Sequence, residues 1–185
     1  VNLRELLVDA FESQRQGARG QGLEFRLDVP GNLGAAALDK ELFRIAVNNL
    51  LSNAIKYNRP GGHVSLSAED ADEHTLAIRV HDGGIGIPAA QRERIFDKYY
   101  RVDDASSAGR QGHGLGLYLV RQIGELHHLL LRGHNGKAVF ADDADRVAVE
   151  AREADDDVLG PVLVDLEELA VVEDELHDLA HVVGL

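Results

Sequence analysis

The segment from Asp39 to Tyr57 places the tightest constraint on the fold, because its apolar residues recur at helical spacing over several turns. Asp39 is a suitable N-cap, and the run 58–62, Asn-Arg-Pro-Gly-Gly, is expected to end the helix. A helix with an apolar face this broad has to pack against another layer of structure. Its apolar positions are Leu42, Phe43, Ala46, Val47, Leu50, Leu51 and Ala54.

Further helices and strands are predicted on both sides of this helix. Asn2 and Glu5 form a capping-box-like pair at the start of a first helix, which Gly17, Gly20 and Gly22 are expected to end. Alternating apolar and polar residues predict the strands. The pattern favours an α/β sandwich of two layers, with a mixed sheet packed on three main helices. Strands are predicted at 23–27, 64–68 and 76–80, and further helices at 89–100 and 115–127.

Composition excludes several classes of protein. The chain has no cysteine, so disulfides and thiol chemistry are excluded, and it has no apolar run of about 18 residues that could span a membrane. The net charge of -13 is concentrated in residues 129–185, which hold 15 acidic and 4 basic residues. Residues 1–128 are nearly neutral and show no large basic patch. We therefore expect no nucleic-acid partner and no membrane contact by this segment.

A polar stripe follows one side of the predicted helix 39–57. Asn49 and Asn53 are four residues apart and share a face, and Lys56 and Tyr57 continue the stripe at the next turn. An amide oxygen can bind Mg²⁺ directly or through water, an ammonium can neutralise phosphate, and a phenol ring can pack on a base. The alternative is an ordinary amphipathic helix whose asparagines are merely exposed.

Two glycine-rich segments follow. Residues 82–87, Asp-Gly-Gly-Ile-Gly-Ile, come directly after a predicted strand. A carboxylate there could accept a hydrogen bond from an amino group such as that of adenine, and glycines allow close approach to a flat ring; an ordinary Asp-Gly turn is the alternative. Residues 112–117, Gly-His-Gly-Leu-Gly-Leu, open a predicted helix, where backbone N–H groups and the helix dipole favour an anion.

Taken together in this order, these segments resemble the catalytic domain of sensor histidine kinases in the GHKL superfamily. Residues 49–57 are similar to the N box of the family, 82–86 to its first glycine box, 94–101 to its F box and 112–116 to its second glycine box. The resemblance covers roughly residues 1–128. It implies a two-layer α/β sandwich of the GHKL (Bergerat) type that binds ATP and Mg²⁺.

The resemblance also implies roles for single residues. Asp82 would bond the adenine amino group, and Tyr57 would border the ring. Asn53 would hold Mg²⁺, Asn49 would support the metal or the phosphates, and Lys56 would contact phosphate. Asn49 and Lys56 are thus the implied catalytic residues. Further nucleotide contacts are implied for Gly84, Gly86, Ile87, Gly112, His113, Gly114, Leu115 and Gly116.

Residues 88–111 would form a lid over the nucleotide. Arg101 and Arg110 are candidate lid contacts to phosphate, and a solvated lid charge is the alternative for either arginine. Gly83 departs from the family pattern, in which Asn or Thr is commoner, so the turn is expected to be more flexible and nucleotide binding somewhat weaker.

The implied activity is donation of the γ-phosphoryl group of ATP to a histidine on a separate dimerisation domain, with a response regulator downstream. None of the nine histidines of the chain has the setting of such an acceptor, so the chain is expected to bind ATP without phosphorylating itself. The implied location is cytoplasmic, including the cytoplasmic part of a membrane-anchored sensor. The alternatives are another GHKL ATPase, an anti-sigma serine kinase, or a non-catalytic interaction module.

The C-terminal segment departs most from the family. We expect an ATP-binding domain at 1–140, closed by a hairpin at Asn135-Gly136, and an acidic tail at 141–185. Apolar residues from Leu163 to Ala180 could form an amphipathic helix, and a partly disordered acidic segment is the alternative. His177 and His181 have a spacing that could hold a metal, but no third ligand is indicated.

Overall fold

Three α-helices and five strands form the part of the chain that the structure describes. The structure is a computed structural model. The residues that it describes are 1–33, 36, 38–70, 76–92, 94–101, 113–127, 130–133 and 162–166. None of its helices is both long enough and apolar enough to cross a membrane. The helices are α1 (Leu3–Gly20), α2 (Lys40–Lys56) and α3 (Gly116–Leu126). The strands are β1 (Glu24–Asp28), β2 (His63–Asp70), β3 (Leu76–Asp82), β4 (Leu130–Gly133) and β5 (Val162–Leu166).

The boundaries of α2 confirm the prediction from its sequence. Asp39 caps its N-terminus, and Oδ1 accepts hydrogen bonds of 2.9 Å from the backbone N–H groups of Glu41 and Leu42. Such caps satisfy N–H groups that have no partner within the helix. The helix ends at Lys56, with Tyr57 as its C-cap. The last residue of α2 and its C-cap are therefore the last two residues of the polar stripe.

The first helix continues past Gly17, one of the three glycines that were expected to end it. Asn2 Oδ1 accepts from the backbone N–H of Glu5 at 3.1 Å, as the predicted cap requires. The helix passes through Gly17 and ends at Gly20. Gly22 follows with φ +66°, a left-handed conformation that glycine adopts at little cost.

The predicted helix at 89–100 is wrong. The described residues there form two short 3₁₀ turns, Ala89–Gln91 and Arg94–Phe96. The backbone N–H of Tyr99 donates to the C=O of Gly114 at 2.9 Å, and Tyr99 has φ +66°. This long-range bond and the left-handed backbone are incompatible with continuing an α-helix through the segment.

The sheet is mixed, in the strand order β1-β2-β3-β5-β4. β1 runs parallel to β2, β2 and β3 are antiparallel, and β5 lies parallel to both β3 and β4. The β3 carboxyl end, at Asp82, thus lies beside the start of β2, where Val64 is the register partner of Asp82. This places the first glycine-rich segment next to the loop that follows α2.

The segment 141–185 contributes a strand to this sheet. Leu163 and Leu166 lie in β5, so the prediction of a helix starting there is wrong for these two residues. A short apolar run after Gly160-Pro161 is the pattern of a buried strand. A parallel β4–β5 pair requires a long crossover rather than a tight hairpin. The predicted turn at Asn135-Gly136 lies outside the described residues.

The two faces of β2 and β3 differ. On one face Val64, Leu66, Ile78 and Val80 are at most 1% exposed and belong to the core that the helices cover. The other face, which we call the open face, carries half-buried polar residues at the alternate positions. The half-buried polar residues of the open face are His63, Ser65, Ser67, Arg79 and His81, while Ala77 at the same alternation is buried.

Candidate functional site

A buried carboxylate occupies the end of β3. Asp82 is 5% exposed, and its Oδ1 accepts a hydrogen bond of 2.8 Å from the backbone N–H of Gly84. A carboxylate has two oxygens and can accept more than one hydrogen bond. The side chain therefore holds the turn that follows the strand, and it places a buried carboxylate at the carboxyl end of the central strand of the sheet.

The turn after Asp82 is packed closely against the end of α2. The backbone N–H of Ile85 donates to the C=O of Tyr57 at 3.0 Å. A Cβ atom added to Gly84 would lie only 2.7 Å from that same oxygen. Only glycine fits at position 84 without displacing backbone, which is the physical reason for this glycine.

The two asparagines of the polar stripe border the start of α3. Asn49 Nδ2 donates to the C=O of Ile45 at 2.9 Å, which leaves Oδ1 at the opposite side of the amide. A Cβ atom added to Gly116 would lie 2.9 Å from Asn49 Oδ1 and 3.7 Å from Asn53 Nδ2. The first residue of α3 and the asparagine stripe of α2 thus form one continuous surface.

The start of α3 is shaped by backbone contacts. Gly114 has φ +66°, and an added Cβ atom would lie 2.7 Å from the C=O oxygen of Tyr100. Leu115 is the N-cap and, being apolar, accepts no hydrogen bond from the N–H groups of the first turn. No acidic residue occupies that turn, 116–119. The first N–H groups of a helix have no partner within the helix, and together with the helix dipole they make this end suitable for an anion.

Lysine and an aromatic ring complete the polar stripe. Lys56 Nζ lies 4.8 Å from the centroid of the Tyr57 ring, within the range of a cation–π contact. Both side chains are half-buried. Because the C=O of Tyr57 also holds the turn after Asp82, the residue joins the helix to that turn.

The remaining predicted residues differ in how they are placed. Gly86 has φ +77°, which favours glycine, and Ile87 is half-buried, with its C=O accepting from Arg92 Nε at 3.2 Å. His113 and Arg101 are exposed. Arg110 and Gly112 lie outside the described residues.

Sequence reasoning missed Asn58, which it treated only as part of a helix stop. Asn58 is 4% exposed, and its Nδ2 donates to the C=O groups of Ala54 at 3.0 Å and His63 at 2.9 Å. Its Oδ1 accepts from the backbone N–H of Arg59 at 2.9 Å. This amide fixes the end of α2 to the start of β2. A polar residue directly after a helix with a buried face was the available signal.

The chain matches a known protein family and is similar to curated proteins over most of its length. Residues 38–154 match the family described as histidine kinase-, DNA gyrase B-, and HSP90-like ATPase. The sensor histidine kinase WalK of Bacillus subtilis (strain 168) is 35% identical over 128 residues, which are 69% of this chain and 20% of WalK. The chain spans 20% to 33% of the length of the first two curated relatives that it matches.

Solved structures of sensor histidine kinases have a similar fold. The mycobacterial sensor histidine kinase MprB superposes with a TM-score of 0.61 at 30% identity, over 69% of this chain and 80% of that one. Full-length ShkA in complex with AMPPNP gives a TM-score of 0.60 at 27% identity, over 69% of this chain and 26% of that one. The chain belongs to the family of histidine kinase-, DNA gyrase B- and HSP90-like ATPases, as an ATP-binding catalytic domain of the sensor histidine kinase type.

Proposed function

We propose that this chain binds Mg·ATP and donates its γ-phosphoryl group to a histidine on a separate dimerisation domain in two-component signalling. One observation carries the proposal. The start of α3, at Gly116, lies against Asn49 of α2, so a phosphate-binding helix end and a pair of amides meet at one place. The buried Asp82 lies beyond the other end of the stripe, beside Tyr57. The stripe therefore connects a site for a base with a site for phosphates.

Asp82 is the proposed acceptor for the exocyclic amino group of adenine. Guanine carries a carbonyl oxygen at the equivalent position, and two acceptors facing each other in a buried site repel. The site should therefore prefer ATP to GTP. We assign Tyr57 to the border of the ring, together with Gly84, Gly86 and Ile87.

The amides of Asn53 and Asn49 are the proposed metal-binding groups. Mg²⁺ takes oxygen ligands and keeps several waters, so neutral amide oxygens beside a triphosphate fit this ion. Asn49 suits the supporting role because its Nδ2 is already engaged by Ile45. When bound, Mg²⁺ supplies neutralisation of the charge on the phosphate oxygens.

The proposed mechanism relies on positioning and on charge neutralisation. Backbone N–H groups of 112–116 and the Lys56 ammonium stabilise the phosphates. The acceptor imidazole nitrogen forms a bond to the γ-phosphorus while the bond from that phosphorus to the bridging oxygen breaks, and ADP leaves with the electron pair. Little covalent chemistry is required of the protein in such a transfer.

We assign residues 88–111 to a lid over the nucleotide. The 3₁₀ turns and the bond from Tyr99 N–H to the C=O of Gly114 connect the start of this segment to the proposed phosphate site. Arg101 and Arg110 are the proposed lid contacts to phosphate. Residues 102–112 lie outside the described part of the chain.

The partners and the location follow from the type of relative. Because the relatives are sensor kinases much longer than this chain, we propose a histidine-bearing dimerisation domain and a response regulator as partners, and a cytoplasmic location for the domain. We propose that the nucleotide site lies within 1–140 and that 141–185 is an extension, from which β5 enters the sheet.

Phosphotransfer to a supplied acceptor tests the proposal directly. The chain is incubated with Mg·[γ-³²P]ATP and the isolated dimerisation hairpin of a related sensor kinase, and acid-labile label on the hairpin is measured. The parent should label the hairpin, and Asn53→Ala should reduce the label by at least about tenfold, the cost of a charge-assisted contact of roughly 1.4 kcal/mol. A hairpin whose acceptor histidine is replaced by alanine is the control. Label that persists on this control, or on serine, would contradict transfer to histidine.

A further inference from the structure

A pair of histidines lies on the open face, where His81 directly precedes Asp82 in the chain. His63 begins β2 and His81 is the penultimate residue of β3. Their Nε2 atoms are 2.7 Å apart, and their ring centroids are 4.8 Å apart with an interplanar angle of 22°. At this distance one Nε2 donates and the other accepts, so the two imidazole nitrogens face each other. The proposed phosphoryl transfer uses neither of them.

We propose that His63 and His81 form a binding site for a divalent transition-metal ion of the kind that imidazole favours, Zn²⁺, Ni²⁺ or Cu²⁺. Neutral imidazole nitrogens are the preferred ligands of these ions, whereas Mg²⁺ prefers oxygen. The ring that donates in the pair places its proton on Nδ1 instead, which leaves both Nε2 lone pairs for the ion. Two histidines on neighbouring strands need little rearrangement to do this.

The geometry is close to that of a chelate. Zinc–nitrogen distances of about 2.0–2.1 Å and a tetrahedral angle require the two nitrogens to be roughly 3.3 Å apart. Side-chain rotations that move each Nε2 atom by a few tenths of an ångström widen the distance between them from 2.7 Å to this value. The backbone of His63 is meanwhile fixed, since its C=O accepts from Asn58 Nδ2 at 2.9 Å and from the N–H of Gly83 at 3.0 Å.

The charged groups around the pair allow a cation. Arg79, two residues before His81 on the same face, is paired with Glu69 at 2.6 Å, which offsets its charge. Glu24 is the register partner of His63 on β1, and its Oε1 accepts from Arg26 Nε at 2.9 Å. Among the described residues no third His, Cys, Asp or Glu joins the pair. With two described protein ligands, fewer than the four of a structural zinc site, we expect an exchangeable site.

Calorimetric titration of the nucleotide-free chain with NiCl₂, in excess Mg²⁺ and without an affinity tag, tests the site. One ion should bind per chain, and His63→Ala and His81→Ala should each weaken binding at least tenfold. Because His177 and His181 have a spacing that could also bind metal, the double variant His177→Ala/His181→Ala is the matched control and should bind as the parent does. Unchanged binding in His63→Ala and His81→Ala, or loss of binding in the control, would overturn the proposal.

A second measurement uses the parent protein alone, so it does not depend on whether the alanine variants fold. Paramagnetic Ni²⁺ added to the parent protein should broaden the imidazole NMR signals of His63 and His81 before those of the exposed His113. Equal broadening of all histidines, or broadening that omits this pair, would contradict the site. Binding should also weaken as the pH falls, because protons compete for the same lone pairs.

Discussion

The two glycine-rich segments of the proposed site are held in different ways. The turn after Asp82 is fixed by a buried carboxylate and by the C=O of Tyr57, both of which belong to the body of the domain. The segment before α3 contacts the backbone of Tyr99 and Tyr100, and Tyr99 is 65% exposed. The proposed base end of the site is therefore held by the body of the domain, whereas the proposed phosphate end depends on the segment that we assign to the lid. Changes at the first segment should affect the fold, and changes at the second should mainly affect phosphate binding.

Gly84→Ala should have the largest effect on stability. The added Cβ atom would lie 2.7 Å from the C=O oxygen of Tyr57, and neither backbone can withdraw without breaking the bond from Ile85 N–H. We expect a loss of about 3 kcal/mol in the free energy of unfolding, the upper part of the range for overpacking. Denaturant unfolding measures it. Gly31→Ala is the control, because a Cβ atom there meets nothing within 4 Å, and it should change stability by no more than about 0.5 kcal/mol.

Gly114→Ala should have a smaller effect on unfolding and a selective effect on ligands. A left-handed alanine costs about 1–2 kcal/mol, and the added atom would also press on the backbone of Tyr100, which the exposed segment can relieve by moving. We expect weaker binding of ATP with little change in binding of adenosine, both measured by calorimetry. Gly22→Ala is the matched control, since Gly22 has the same φ of +66° and no atom within 4 Å of the added Cβ. Equal losses for ATP and adenosine would contradict the division into two ends.

Gly83→Ala should have the smallest effect of the three. Its Cβ atom would lie 2.9 Å from His63 Nδ1, a side-chain atom that can move, so we expect a loss of about 1 kcal/mol. When residue 63 is already alanine, Gly83→Ala should therefore cost little further stability. A double-mutant cycle of unfolding free energies, with His63→Ala, Gly83→Ala and the double variant, measures this difference. Strictly additive losses would show that the imidazole is not what restricts position 83.

The positions of local elements could be predicted from the sequence, whereas contacts distant along the chain could not. The cap at Asp39, the stripe from Asn49 to Tyr57 and the turn at Asp82 all follow from residue type and spacing. The 3₁₀ turns before Tyr99 could not be predicted, because a hydrogen bond to Gly114 replaces the helix that the local pattern favours.

The fifth strand was missed for a similar reason. Residues 162–166 pair in parallel with β3, more than 80 residues earlier in the chain, and an acidic composition obscures their apolar run. Gly83 is a related case. Its departure from the family pattern predicts a more flexible turn, and the structure adds a contact that the pattern did not indicate: a Cβ atom there would lie 2.9 Å from Nδ1 of His63. Neither the pairing of β5 with β3 nor the contact of His63 with Gly83 can be recognised within a short window of sequence.

The identity of the base-binding acceptor is the central claim, and Asp82→Asn tests it most directly. Asparagine retains an oxygen that can accept from Gly84 N–H, so the turn and the unfolding midpoint should be preserved, while one acceptor becomes a donor. Calorimetry with Mg·ATP and Mg·GTP on the parent and this variant is the measurement. We expect the parent to prefer ATP and the variant to bind ATP about 10- to 100-fold more weakly, from loss of a charge-assisted bond in a buried site. An Asp82→Asn protein that binds ATP as tightly as the parent, with the same preference over GTP, would contradict the account.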